Sequence, residues 1–175
     1  MATRSVRPTL LGVHQTTGHH YYEMPLQKLE DWPEQLTLAS RHFALFLASD
    51  ANVISDEVYT LVAQRAARQG LALLYAYGPK SRRVHDLFDA VLWLGSYGDN
   101  DWTILTVGQW ESDYTLEDAV ECFFEAEPIE EWVATCDSYL VVVVGNEEWT
   151  HRVRNTLIEL LRSPEFDKER PDSAS

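Results

Sequence analysis

Six polar side chains fall just beyond apolar runs of strand length, and open α/β sheets bind ligands beyond the carboxyl ends of their strands. Asp50 and Asn52 follow the run Phe43–Ala48, Lys80 and Arg82 follow Leu71–Tyr77, Ser96 follows Ala90–Leu94, and Asn146 follows Tyr139–Val144. Converging in one crevice, they could bind a small molecule or an anion, or serve a small enzyme. Two helix starts in this set, Ser55-Asp56-Glu57 and Asn146-Glu147-Glu148, already carry carboxylates. Those carboxylates answer the positive end of the helix dipole and repel a phosphate. Read without function, they are ordinary helix-start residues. The turn Gly78-Pro79-Lys80-Ser81-Arg82-Arg83 is the opposite case, because cations are unfavourable at a helix start. They hold an anionic ligand, pair with Asp50 or Asp56 from the neighbouring strand end, or face solvent.

Fingerprints of the commoner sites are missing. The sequence has no G-x-G-x-x-G, no G-x-x-x-x-G-K-[ST] and no G-x-S-x-G, so a dinucleotide, P-loop or nucleophile-elbow site is not present in recognisable form. Ser96 sits in Gly95-Ser96-Tyr97-Gly98, which reads as turn chemistry. His85 beside Asp86 and Asp89 has the residue types of a general acid–base pair, but nothing in the sequence sets a nucleophile next to it. The pair His19-His20 lies in an irregular stretch without further ligands at metal spacing, so neither a metal nor a cofactor is expected. Cys122 and Cys136 also lack metal spacing and point to a reducing compartment. Cys122 is expected on the buried face of a helix as an inert core thiol. Tyr77, Trp93, Tyr97, Trp102 and Trp110 at strand ends would line a pocket or partner face, or simply pack.

Charge placement offers a second kind of function. The net charge is −14, and between Val84 and His151 there are sixteen acids and no Lys or Arg. A field of one sign repels nucleic acid and anionic membrane and speeds encounter with a basic partner. Glu117, Asp118, Glu121, Glu125, Glu130 and Glu131 are the expected contact residues; the plainer reading is a solvated, solubilising face. No apolar run approaches the ~20 residues of a membrane span, and the N-terminus lacks the apolar stretch of a signal peptide, so a cytoplasmic protein is expected.

The elements that must position these residues read as a single α/β domain. Residues 1–40, punctuated by Pro8, Gly12, Gly18, Pro25 and Pro33, read as an irregular arm with Leu26, Leu29, Trp32 and Leu36 as anchors. Residues 41–162 form the domain and 163–175 a flexible tail. Phe43–Ala48 and Leu71–Tyr77 are continuous apolar runs, as in strands covered on both faces. Ser55 caps a helix that Gly70 stops. A short helix from Ser81 leads to a third strand at Ala90–Leu94. Trp102–Val107 follows too closely for a parallel crossover, so the two are expected as an antiparallel hairpin. Thr115 and Asp118 begin a further helix, Ile129–Val133 suggests a short one, and the Val run of Tyr139–Val144 is a strand followed by a last helix. The expected architecture is a three-layer α/β/α sandwich of about five mostly parallel strands.

Val84-His-Asp-Leu-Phe-Asp89, Thr115-Leu-Glu-Asp-Ala-Val-Glu-Cys-Phe-Phe124 and Val141-Val-Val-Val-Gly-Asn-Glu-Glu-Trp149 resemble segments of an uncharacterised family of small bacterial α/β, Rossmann-like domains. The resemblance covers roughly residues 40–162. It implies a bacterial cytosolic origin and carries no activity and no site residue. The leading functional expectation is a non-enzymatic acidic domain that binds a basic protein, as an immunity protein, inhibitor or regulatory subunit would. The alternative is a small enzyme or a nucleotide or anion sensor at the strand ends. A homo-oligomer packed through its aromatic residues is a third possibility.

Overall fold

Apolar runs bounded by helix caps form a six-stranded sheet between two helical layers. The structure, a computed structural model, describes residues 6–94, 105–108 and 114–163. Strands β1 (Thr9–Val13), β2 (His20–Glu23), β3 (Phe43–Ala48), β4 (Leu71–Tyr77), β5 (Leu105–Gly108) and β6 (Ser138–Val143) lie in the order β1-β2-β6-β3-β4-β5. Only β1 and β2 pair antiparallel; every other neighbouring pair is parallel. The helices are α1 (Asp56–Arg68), α2 (Ser81–Leu94), α3 (Leu116–Glu125), α4 (Glu130–Val133) and α5 (Glu147–Arg162).

The pleat of β3 explains why its run has no polar positions. Phe43, Leu45 and Leu47 join one core cluster with Tyr59, Val62 and Ala66 of α1 and Val84 and Phe88 of α2. Ala44, Phe46 and Ala48 join the other, with Val120 and Phe123 of α3 and Val153 and Leu157 of α5. Each face is therefore sealed by its own helical layer, and a two-sided strand must be apolar throughout. In β6, Tyr139, Val141 and Val143 point to the second face and Leu140 and Val142 to the first.

Two expectations about the middle of the chain are corrected. Ala90–Leu94 is not a strand: it is the end of α2. Val84, Phe88 and Leu92 recur at four-residue spacing and all are buried, so a helical stripe continues through what reads in isolation as a short apolar run. The hairpin between that run and Trp102–Val107 therefore does not form. β5 begins at Leu105 and runs parallel to β4, with α2 as the crossover. The antiparallel pair of this mixed sheet lies instead at the opposite edge, in β1 and β2.

Residues 6–40 are correspondingly more regular than their Pro and Gly content suggests. β2 extends the sheet beside β6, and the chain after it keeps pairing, with Met24 N donating to Val141 O at 2.8 Å and Leu26 N to Val143 O at 2.9 Å. Leu26, Leu29 and Trp32 are buried in the first core, so the expected anchors do anchor. The Trp32 indole N–H donates to Gln69 Oε1 at 2.9 Å, and Arg65 donates to the Trp32 carbonyl at 3.1 Å. These bonds tie the crossover from β2 to β3 onto the C-terminal turn of α1.

On the second face, two tyrosines finish α3. The last carbonyls of a helix have no partner within it. Tyr21 donates to Phe124 O at 3.0 Å and Tyr139 to Ala126 O at 2.8 Å, just before Pro128. Among the described residues no helix is long and apolar enough to cross a membrane.

Candidate functional site

The strand order makes a gap at one place. β3 and β6 are neighbours, yet after β3 the chain turns to the first helical layer through α1 and after β6 it turns to the second through α5. Loops that leave adjacent parallel strands in opposite directions open a crevice at their carboxyl ends. A crevice of about 620 Å3 lies there. Its polar wall comprises Gln27, Lys28 and Glu30 from the crossover after β2, Asp50 and Ser55 after β3, and Asn146 after β6. Trp149, Val58 and Ile54 supply apolar surface, and Pro79 closes the side toward β4. This volume lies within the range of small-molecule sites.

Each wall is braced locally. Asp50 Oδ1 accepts from the backbone N–H of Asn52 at 2.9 Å and from its side-chain amide at 2.8 Å, which turns the chain immediately after β3. Arg83 reaches back from α2 to hold the rest of that loop. Its Nε donates to Asp56 Oδ1 at 2.7 Å, its Nη1 to the Ala51 carbonyl and its Nη2 to the Ile54 carbonyl at 3.4 Å. Gly78 allows β4 to close against this loop. It has a φ of +115°, and a Cβ there would lie 2.3 Å from the Ser49 carbonyl oxygen. At the far wall, Asn146 Oδ1 accepts from Trp149 N at 2.9 Å, capping α5. Trp149 in turn meets Tyr77 edge-on, with ring centroids 5.6 Å apart.

Carboxylates dominate the electrostatics. Asp56 and Glu57 open α1, and Glu147 and Glu148 open α5. The Ser55 hydroxyl, then its own backbone N–H, hold the Glu57 carboxyl below its ordinary range. Both helix N-termini beside the crevice thus carry acidic side chains.

The residues expected at the strand ends are only partly gathered. Asp50 and Asn146 line the crevice, and Asn52 is exposed beside it, bonded to Asp50. Lys80 is exposed in the turn after β4, in a left-handed conformation with φ 56°. Arg82 is exposed on α2, 4.0 Å from Asp86, and does not line the crevice. Of the three cations in this turn, Arg83 takes the pairing alternative, with Asp56. Ser96 lies outside the described residues, as do the side chains of Trp93, Tyr97, Trp102 and Trp110 and the tail beyond residue 163. Gln27, Lys28, Glu30 and Trp149 were not foreseen. The first three sit between the anchors Leu26 and Trp32, and docked anchors imply that the residues between them lie on the body of the domain.

The acidic set divides in two. Arg152 of α5 grips Glu117 of α3 with two bonds, Nε to Oε1 and Nη2 to Oε2, both 2.7 Å. This contact holds the Glu117 carboxyl below its usual range and raises the Arg152 guanidinium. Asp118 accepts from Thr115 N at 2.9 Å and from Thr115 Oγ1 at 2.7 Å, as the first turn of α3 requires. Glu121, Glu125, Glu130 and Glu131 are exposed, and no ion pair engages them among the described residues.

Two other candidates change character. Cys122 is exposed, correcting its expected core position: Leu116, Ala119, Val120 and Phe123 define the buried stripe of α3, and position 122 falls outside it. The buried thiol is Cys136, pushed up to about 12 by desolvation and then by Asp137. His19 and His20 lie at the amino ends of the strands, opposite the crevice, where His19 stacks on Tyr139 at 4.6 Å. Among the described residues no group of three or more His, Cys, Asp or Glu could hold a metal. No family model matches the chain, and neither a curated protein nor a solved structure matches it.

Proposed function

We propose that the protein is a non-enzymatic sensor that binds a small polar molecule in the crevice between α1 and α5. The observation that supports this reading is the position of the crevice: it lies at the reversal of strand order, with Asp50 and Asn146 on facing walls. Sites of this kind combine an apolar lining with a few placed polar groups, and Trp149, Val58 and Ile54 beside Asp50, Ser55 and Asn146 have that composition.

Thermal unfolding with and without the low-molecular-mass ultrafiltrate of a cell lysate tests the reading. A ligand at a hundred times its Kd stabilises the folded state by about 2.7 kcal/mol. For a chain of this length that is roughly a 5–10 °C rise in Tm. Val53 lines the crevice and is 79% exposed, so Val53→Trp should fill the space without disturbing the core. The rise should vanish in Val53→Trp. An equal rise in both proteins would refute the site.

A second reading keeps the acidic layer as a docking face for a basic protein. It is favoured by the contrast between Arg152 and Arg154, both held in ion pairs, and Glu121, Glu125, Glu130 and Glu131, which have none among the described residues. Recovery of a basic protein at low salt and its loss at high salt would support that reading. Recovery indifferent to salt, or unaffected by replacing the four acids with Gln, would remove it.

A further inference from the structure

The geometry points to a small organic cation, an alkylammonium or guanidinium compound, as the class of molecule that the crevice takes, with its charged group against Asp50 and Glu30 and its body against Trp149 and Val58. This inference rests on the crevice being the functional site and specifies its ligand.

Three independent features of the lining lead there. First, its balance of charge is negative: Glu30 and Asp50 stand against Lys28, and the rim adds the carboxylates that open α1 and α5. Of the rim acids, Asp56 is neutralised by Arg83 and Glu148 is 3.5 Å from Arg152, while Glu57 and Glu147 have no ion pair among the described residues. A phosphate would meet uncompensated negative charge at both helix N-termini, which are the places that ordinarily welcome it. Second, one carboxylate oxygen is uncommitted. Asp50 Oδ1 is spent on Asn52, whereas Oδ2 has no hydrogen-bond partner among the described residues. An ammonium or guanidinium donor satisfies such an oxygen with a charge-assisted bond. Third, the aromatic wall suits a cation. Trp149 lines the crevice, is half-buried in a T-shaped contact with Tyr77, and is an aromatic group of the kind that attracts positive charge. Asn146 Oδ1 already accepts from Trp149 N in capping α5, and its side-chain amide adds N–H donors. Those donors would meet a hydroxyl or carbonyl on the body of the ligand, away from its charge.

Lys28 is the one cation in the lining among the described residues, and it gives the inference a signed test. Removing Lys28 strengthens the binding of a cation and weakens that of an anion. Isothermal titration would use agmatine, spermidine and tyramine as cationic probes, with adenosine as a neutral probe and AMP as an anionic one. At least one cationic probe should bind saturably. Asp50→Asn, which keeps Oδ1 for Asn52, should weaken it on the order of tenfold. Glu30→Gln should weaken it less, because Glu30 is exposed. Lys28→Met should tighten it. Glu159→Gln removes the same unit of charge from the exposed C-terminal half of α5, away from the crevice, and should leave it unchanged.

Equal weakening by Glu159→Gln and Asp50→Asn would mean that the net charge of −14 merely concentrates cations, and would overturn the inference. Binding of AMP or adenosine that Val53→Trp abolishes, with the cations silent, overturns the cation class and leaves the crevice as the site. Silence from every probe together with a Val53-dependent rise in Tm from the ultrafiltrate has the same meaning. Silence in both experiments removes the crevice as well.

Discussion

Replacing Gly78 with Ala tests how rigidly the carboxyl ends of β3 and β4 are held. Two costs meet at this position. The φ of +115° is a conformation that L residues seldom adopt, and a left-handed backbone costs such a residue about 1–2 kcal/mol. The added Cβ would also lie 2.3 Å from the Ser49 carbonyl oxygen and 3.3 Å from the Trp149 ring. Ser49 has little freedom to retreat. Its N–H donates to Tyr77 O at 3.1 Å, and its hydroxyl shares a 2.8 Å hydrogen bond with Tyr59. Forcing such a contact costs a further ~1–3 kcal/mol in shifted backbone and side chains. Gly18 separates the two costs: its φ is +76°, and a Cβ there would meet nothing within 4 Å. The gain from restricting the unfolded chain is common to both replacements and cancels in the comparison. Equilibrium urea unfolding should therefore show Gly78→Ala less stable than Gly18→Ala by ~1–3 kcal/mol. Gly70→Ala, whose Cβ would lie 2.2 Å from the Arg41 carbonyl, should resemble Gly78→Ala. Equal losses at Gly18 and Gly78 would refute the reasoning, because they would mean that the Ser49 carbonyl yields and that the floor of the crevice is soft.

The two thiols should behave differently toward a disulfide reagent at pH 8. Cys122 reacts at once, whereas Cys136 is protected until the protein unfolds; two fast thiols would contradict the burial of Cys136. Alkaline pH should destabilise the fold from about pH 10 upward. Tyr21 and Tyr139 are raised above the ordinary tyrosine value of 10.0, chiefly by burial and then by neighbouring groups that carry charge when ionised, Tyr139 for Tyr21 and Cys136 first for Tyr139. The unfolded chain therefore releases their protons at pH values where the native one still holds them. Stability is full below pH 10 and falls above it by about 1.4 kcal/mol per pH unit for each tyrosine. Urea midpoints at pH 9–11 should be less steeply pH-dependent in Tyr21→Phe by that amount, and an unchanged slope would refute the assignment.

The parts of the fold legible in the sequence were those whose local pattern has one physical interpretation. A short run without a polar position, closed by Ser49-Asp50 and followed by a capped helix, has the length and flanks of a strand covered on both faces, and Phe43–Ala48 is one. Thr115 with Asp118, and Asn146 before Glu147, marked helix starts because only those side chains complete the first turn. Ala90–Leu94 was ambiguous by itself. Its identity lies in the helical stripe that begins at Val84, and a window that starts at Ala90 cuts that stripe in half. β1 and β2 escaped because each is short and bordered by Pro or Gly, so pairing rather than pattern creates them. Asp50 and Asn146 were legible as site residues from the strand-end rule. Lys28 and Glu30 were not, because they enter the crevice through a tertiary event, the docking of Leu26, Leu29 and Trp32 against the first core.

A doubly wound sheet leaves a gap where its strand order reverses, whether or not anything binds there, so the gap alone says little about use. Its upkeep says more. The loop after β3 is exposed at Asn52 and Val53, yet Arg83 crosses from α2 to hold Ala51, Ile54 and Asp56 at once, and Asp50 is locked to Asn52. An Arg in the first turn of a helix opposes the dipole, so this bracing runs against the local preference of α2. Asn146, Gly145 and Leu26 hold the opposite wall, with Gly145 N donating to Leu26 O at 2.8 Å. Rigid walls reduce the ordering that a ligand must impose on binding, which is where preorganised sites gain affinity. They also fix which charges a ligand meets. Here those are the carboxylates of Asp50, Glu57 and Glu147 at the reversal point, where a phosphate site would present free N–H groups. The cation reading proposed above rests on this contrast, since the same doubly wound geometry that serves phosphate elsewhere here presents carboxylates.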